Sequence, residues 1–231
     1  HERLVGSEMC IRDRRIIVNG KVVSNNEYNI LEKYDQVLLD DKPLMYKENY
    51  YFLLNKPAGY VTSTTDDTNQ TVMMLLDTLP SKLVQKLFPV GRLDKDTEGL
   101  LIITTDGKLS HFVTSPTSNI QKTYYIEFEG VLNDRASKMM KEGLVDEKGT
   151  QFKPATLYNV SETSCYLTIS EGKYHQVKRM MHLVGGVVTY LKRIKIANIV
   201  LPEELKIGSY IEISQHDIYQ LIHFNCKKKG F

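Results

Sequence analysis

The sequence predicts an α+β protein organised on a mixed, mostly antiparallel sheet. Segments that read as strands outnumber those that read as helices, and the two kinds do not alternate strictly, as a doubly wound sheet would require. Ile194-Lys195-Ile196-Ala197-Asn198-Ile199 and Tyr210-Ile211-Glu212-Ile213 also alternate apolar and polar residues with a period of two, the pattern of strands with one covered face.

In chain order, Ile16-Ile17-Val18 and Lys21-Val22-Val23 flank Asn19-Gly20, a strong two-residue hairpin signal. Asp40-Asp41-Lys42-Pro43 marks a turn, and Tyr46-Lys47-Glu48-Asn49 reads as a polar linker. Tyr50 to Leu54 is an apolar strand ending in the turn Asn55-Lys56-Pro57-Ala58-Gly59. Leu100 to Thr104 is a buried strand stopped by Asp106-Gly107. The β-branched and aromatic runs Thr123–Phe128 and Cys165–Ile169 are strands. Helices are expected where Asn133 caps a polar-amphipathic stretch closing at Gly143, over Tyr174–Val184 before Gly185-Gly186, and after Ser214, whose partner Asp217 resembles a capping box before Ile218–Ile222. Val177, Met180, Met181 and Val184 share one helical face and are expected to pack in the core. Residues 1–14 show no helical stripe, and Lys227-Lys228-Lys229 reads as a solvated basic tail.

At 231 residues and 26.6 kDa the chain can build one large core or two small ones. Hydrophobic residues at 42% and charged residues at 25% exclude general disorder. Thirty Lys and Arg against 28 Asp and Glu leave a net charge of +2, which excludes a histone-like coat. Nucleic acid stays open as a partner, because the position of charge matters more than its sum. Cys10, Cys165 and Cys226 are odd in number and far apart, fitting reduced thiols and not a disulfide or zinc framework. No apolar run approaches the ~20 residues of a membrane span, and no signal-peptide pattern opens the chain, so a cytoplasmic protein with no membrane partner is expected. His175 and His182 have no companion ligands at metal-binding spacing. The sequence contains no GxGxxG, P-loop or GxSxG motif, so neither a metal nor a cofactor is expected.

Two stretches could carry chemistry. Gly91-Arg92-Leu93-Asp94-Lys95-Asp96-Thr97-Glu98-Gly99-Leu100 is a polar loop running into an apolar strand; it is either a solvated turn or a site held by a rigid sheet. From Lys173 to Lys195 the chain carries six Lys or Arg and no Asp or Glu, which suits either phosphate contacts or a solvated basic helix face. A glycosidase built on Asp94 and Asp96 is a poor reading, because neighbours two apart do not flank a sugar at the ~5–9.5 Å separation that such enzymes use.

Taken together, Asn55-Lys56-Pro57-Ala58-Gly59, Gly91-Arg92-Leu93-Asp94-x-Asp96-Thr97-x-Gly99-Leu100, Lys122-Thr123-Tyr124 and Glu171-Gly172-Lys173-Tyr174-His175-Gln176-Val177-Lys178-Arg179-Met180 closely resemble the RsuA branch of the RNA pseudouridine synthases. The resemblance covers roughly residues 15–225. It implies a catalytic domain of the pseudouridine synthase fold over 46–225, preceded at 15–45 by part of an S-four-type (alpha-L) RNA-binding module. Residues 1–14, where its opening helices would stand, are expected to be foreign or truncated, and 226–231 is expected to be a tail.

The resemblance implies an isomerase that needs no cofactor. Tyr60-Val61-Thr62-Ser63-Thr64 looks most like the member acting on 16S ribosomal RNA. A 23S enzyme of the same branch and an idle RNA-binding or ribosome-assembly factor are the alternatives, and Asp94, Tyr124 and Lys178 standing together speak against idleness. By motif position Asp94 is the catalytic aspartate, Lys178 its basic partner and Tyr124 the ring facing the uracil. Arg92, Lys56, Lys173, Gln176, Arg179, Lys192 and Arg193 are expected to contact RNA, and Asp96 to shape the loop. Ribosomal RNA is the expected partner and a monomer the expected state.

Overall fold

The computed structural model describes residues 7–25, 28–31, 34–44 and 47–223; the expected tail at 226–231 and the first six residues lie outside them. The chain forms two compact units, His1–Glu48 and Asn49–Phe231.

In the first unit, helix α1 (Ser7–Arg12) precedes strands β1 (Ile16–Val18), β2 (Lys21–Val22), β3 (Val37–Leu39) and β4 (Lys42–Pro43). They form an antiparallel sheet in the order β2-β1-β3-β4. Asn19 and Gly20 both take positive φ, at 48° and 78°, as a two-residue turn between right-twisted strands needs. Asp40 and Asp41 do the same at 51° and 61°, so the expected turn is itself a hairpin whose second arm is β4. Ile16, Val18 and Val23 form the small core, with Cys10 and Ile11 packed against it. The helix over Ser7–Arg12 corrects the reading of residues 1–14 as lacking one: six residues with a single apolar pair are too short to show a stripe.

The second unit runs β5 (Tyr51–Lys56), a 3-10 turn (Val72–Leu76), α2 (Ser81–Val84), β6 (Phe88–Pro89), β7 (Glu98–Thr104), α3 (Gly107–Thr114) and β8 (Lys122–Gly130). It continues through α4 (Ala136–Glu142), β9 (Leu144–Val145), β10 (Gln151–Phe152), β11 (Thr156–Tyr158), β12 (Ser164–Ile169) and α5 (Gln176–Leu183). β13 (Gly186–Ile196), β14 (Ile199–Val200), β15 (Tyr210–Glu212) and α6 (Gln215–Leu221) complete it. Among the described residues, the main sheet has nine strands in the order β11-β12-β8-β13-β7-β5-β15, with β14 on β13 and β6 on β7. Every pairing in it is antiparallel except β13 with β7.

The two central strands explain the continuous apolar runs. β5 is buried at every position and β7 at all but its first, because helices cover both faces. Phe52, Leu54, Leu101 and Ile103 point to one core, which α4 and α5 cover with Met140, Val177, Met180 and Met181. Tyr51, Leu53, Leu100 and Ile102 point to the other, covered by Leu109 and Val113 of α3 and Ile218 of α6. β12 is covered on one face only, so it alternates: Cys165, Leu167 and Ile169 are buried.

Five local outcomes differ from the sequence reading. Asn133 does not cap α4: its side chain accepts from Arg135 N at 2.8 Å in the turn before the helix, and Arg135 stands at the N-cap. Asp106 does not merely stop β7; its carboxylate accepts from Lys108 N at 2.9 Å and Leu109 N at 3.1 Å and so starts α3. α5 begins at Gln176 and not at Tyr174, because His175 sits in the left-handed region at φ 48°. Ile194–Ile199 is not one strand: Ala197 (φ 50°) and Asn198 turn the chain from β13 into β14, with Ile196 opposite Ile199. The eleven-residue β13 itself was unassigned over most of its length.

Gly99 joins the two halves of the sheet. It has φ +100° and stands opposite Arg193 in the parallel pair, where an added Cβ would lie 2.2 Å from the Arg193 carbonyl oxygen. Gly99→Ala should therefore lose about 3 kcal/mol or more of unfolding free energy in urea titrations. A loss below about 0.5 kcal/mol, the usual range for a neutral surface change, would refute the close approach.

Candidate active site

The turn after β5 and the loop before β7 are tied together by one buried cation. Lys56 is fully buried, and its ammonium donates to the carbonyl oxygens of Pro57 at 3.0 Å, Asp94 at 3.1 Å, Lys95 at 3.2 Å and Thr97 at 2.7 Å. Three protons are thus shared among four acceptors. The same loop is held by Gly59 N donating to Lys95 O at 2.8 Å and by the Thr62 hydroxyl donating to Leu93 O at 2.8 Å. Burial pulls the Lys56 pKa down to about 8, while Asp96, Glu98 and Asp94 nearby favour the charge. The carbonyl oxygens favour it as well.

With the loop backbone pinned from behind, the Asp94 side chain stays 29% exposed at the front. Its Oδ1 lies 3.7 Å from His175 Nε2 and its Oδ2 lies 3.7 Å from Lys178 Nζ. Lys178 donates to both carboxylate oxygens of Asp96 at 2.7 Å, so it bridges two aspartates and holds the second more closely. Burial pushes the Asp96 carboxyl up; the hydrogen bonds and charge of Lys178, with the Asp96 amide and His175, together outweigh this and hold it below the usual carboxylate range. Tyr124 on β8 is buried in the same core cluster as Leu93 and Val177, the neighbours of Asp94 and Gln176–Lys178. Two residues before it, burial and the Arg193 charge pull the Lys122 ammonium down to about 8.

The turn before α5 is equally fixed. Gln176 is buried; its side-chain amide donates to Glu171 Oε1 at 2.9 Å and its Oε1 accepts from Lys173 N at 2.9 Å. Arg179 donates to Asp146, to the Thr150 hydroxyl at 2.7 Å and to the Tyr174 carbonyl at 3.1 Å, with its guanidinium 4.9 Å from the centre of the Phe152 ring.

These placements correct several expected RNA contacts. Lys56 has no surface. Arg193 is 2% exposed with its Nε donating to Leu100 O at 2.7 Å, and Gln176 is 3% exposed. Each is turned to an interior partner: Lys56 to carbonyls of the Pro57 turn and the Asp94 loop, Arg193 to a carbonyl of β7, and Gln176 to Glu171 and the Lys173 amide. The charge of Arg179 is committed to Asp146. Arg92 and Lys173 are exposed and Lys192 is half-buried. His175 beside Asp94 was missed; it had been considered only as a metal ligand, and its place depends on a left-handed φ that no side-chain pattern announces.

The family model for RNA pseudouridylate synthase matches residues 50–183, a stretch that runs from β5 to the end of α5 and carries Lys56, Asp94, Asp96, Tyr124, His175 and Lys178. The chain belongs to the RNA pseudouridine synthase family. It is 40% identical over 215 residues to ribosomal small subunit pseudouridine synthase A of Escherichia coli K12, covering 92% of this chain and 91% of the relative. It is 35% identical over 210 residues to the RNA pseudouridine synthase YtzG of Bacillus subtilis, covering 89% and 87%. A crystal structure of a pseudouridylate synthase superposes with a TM-score of 0.70 at 36% identity, over 94% of this chain and 93% of that one. The protein is thus an RsuA-type pseudouridine synthase, an isomerase: in uridine the glycosidic bond from N1 breaks and C5 takes its place on the sugar, with no net change in atoms or oxidation state.

Within this synthase, Lys56 pins the loop that carries Asp94. Lys56→Met keeps the length of the stem but leaves the loop carbonyls unpaired in the interior. It should cost about 3 kcal/mol or more in urea unfolding and lower turnover as well. Full stability in the variant would show that the carbonyls find other partners.

Proposed function

We propose that the protein converts a uridine of 16S ribosomal RNA to pseudouridine, with Asp94 as the catalytic group. The reading rests on one arrangement above all: an aspartate whose backbone is pinned from behind by Lys56 and whose open carboxylate stands 3.7 Å from both His175 and Lys178. Small-subunit ribosomal RNA as the target follows the name of the Escherichia coli relative, whose similarity runs over nearly the full length of both chains.

The target nucleotide leaves its stack at a cost of a few kcal/mol, and its sugar meets Asp94. An ionised carboxylate there either attacks C1′ or takes a sugar proton, with the Lys178 ammonium 3.7 Å away. The freed uracil rotates against Tyr124 and C5 joins C1′ as the carboxylate leaves that carbon or returns the sugar proton it took; the C5 proton leaves and N1 gains one. Arg92 and Lys173, the exposed cations on either side, contact backbone phosphates. We read the first unit as an S-four-type RNA-binding module and the protein as a monomer acting in the cytoplasm, where its RNA is.

Pseudouridine mapping of ribosomal RNA from cells with and without the gene tests the target. Loss at one 16S position is expected; loss in 23S RNA alone selects the other member of the branch, and no loss selects an RNA-binding assembly factor. Asp94→Asn should lower turnover about 10³-fold or more with RNA affinity little changed. Lys178→Met should lower kcat more than it lowers affinity, and equal losses would recast it as a phosphate contact.

A further inference from the structure

We propose that Tyr174 and His175 form a stacking platform for an unpaired base next to the target uridine. The inference rests on the pseudouridine synthase reading and adds a base-binding subsite to it. The two rings stack with centroids 3.8 Å apart and planes 18° from parallel. The inner ring, His175, is the one 3.7 Å from Asp94. The outer ring is open, since Tyr174 is 76% exposed. The outer face therefore lies one aromatic layer beyond the group beside the catalytic carboxylate, a spacing suited to the nucleotide directly beside the one whose sugar meets Asp94.

The platform is held before any RNA arrives. Arg179 pins the carbonyl of Tyr174 at 3.1 Å, and Arg179 N donates to His175 O at 2.9 Å. Gln176 N donates to Lys173 O at 3.1 Å, closing the turn from the other side. His175 is held in the left-handed region at φ 48°, a conformation that a histidine keeps only when its surroundings impose it. A surface tyrosine that served only solubility would need none of this, and burial does not explain an open ring.

The physical motive lies in flipping. Taking a uridine out of its stack bares one face of each neighbouring base. An aromatic face offered to one of them restores stacking worth ~1–3 kcal/mol, without reading the identity of the base. The platform offsets part of the cost of extrusion and holds the strand so that the target sugar faces Asp94.

The test uses the full chain and a short fluorescein-labelled RNA carrying the mapped target uridine, with an abasic nucleotide placed at each flanking position in turn. Wild type should bind one of the abasic RNAs about tenfold more weakly than the intact RNA. Tyr174→Ala should bind the intact RNA about tenfold more weakly and lose nothing further on that abasic RNA, while Tyr174→Phe should match wild type. The stack is overturned if Tyr174→Ala binds intact RNA as wild type does, or if its loss multiplies with the abasic loss at every position. Wild type that forms pseudouridine alongside an indistinguishable Tyr174→Ala refutes the platform alone. Wild type that forms none in any ribosomal RNA refutes the underlying reading and the platform with it.

Discussion

The ammonium of Lys56 is the interaction on which the site depends. A carboxylate aimed outward from a tight loop leaves its own backbone carbonyls turned inward, where no water reaches them, and each unpaired one would cost more than an ordinary hydrogen bond contributes. One buried lysine answers the carbonyls of Asp94, Lys95 and Thr97 together. Because it does so from the end of β5, the Asp94 loop is tied to a strand buried at every position and not to the solvent side. The cost is a desolvated cation, visible in the downward pull on its pKa.

The same logic runs through the neighbouring turns. The parallel pairing of β7 with β13 needs a residue without a side chain at Gly99, and the buried Arg193 opposite it caps a strand carbonyl at Leu100. Gln176 and Arg179 brace the turn that carries His175 and Lys178. Motif residues that look like a basic RNA grip are in large part a scaffold: polar groups turned inward to hold a few turned outward.

Much of the fold was legible along the chain, and the reasons are local. The Asn19-Gly20 hairpin and the Ser214–Asp217 cap use side chains or φ values that act within four residues. β5, β7 and β12 were readable because apolar runs and period-two alternation report directly on how many faces are covered. α3 was missed because Asp106-Gly107 carries a stop and a cap signal at once. The β13–β14 turn was missed because the alternation of Ile194 and Ile196 resumes at Ile199 as if the chain had not reversed.

By itself, the sequence determined the α+β class, the antiparallel character of the sheet and the core face of α5, since these follow from periodicity and residue type, while Asp94, Tyr124 and Lys178 stood out through resemblance to a family's motifs. Only the tertiary structure decided which cations face outward. Lys56 and Arg193 look like any exposed lysine and arginine in a one-dimensional string, and their burial comes from strands distant in sequence meeting at Gly99. The approach of His175 to Asp94, across eighty residues of chain, arises in the same way: hydrophobic spacing records a residue's own burial, and it carries no record of which distant loop will stand beside it.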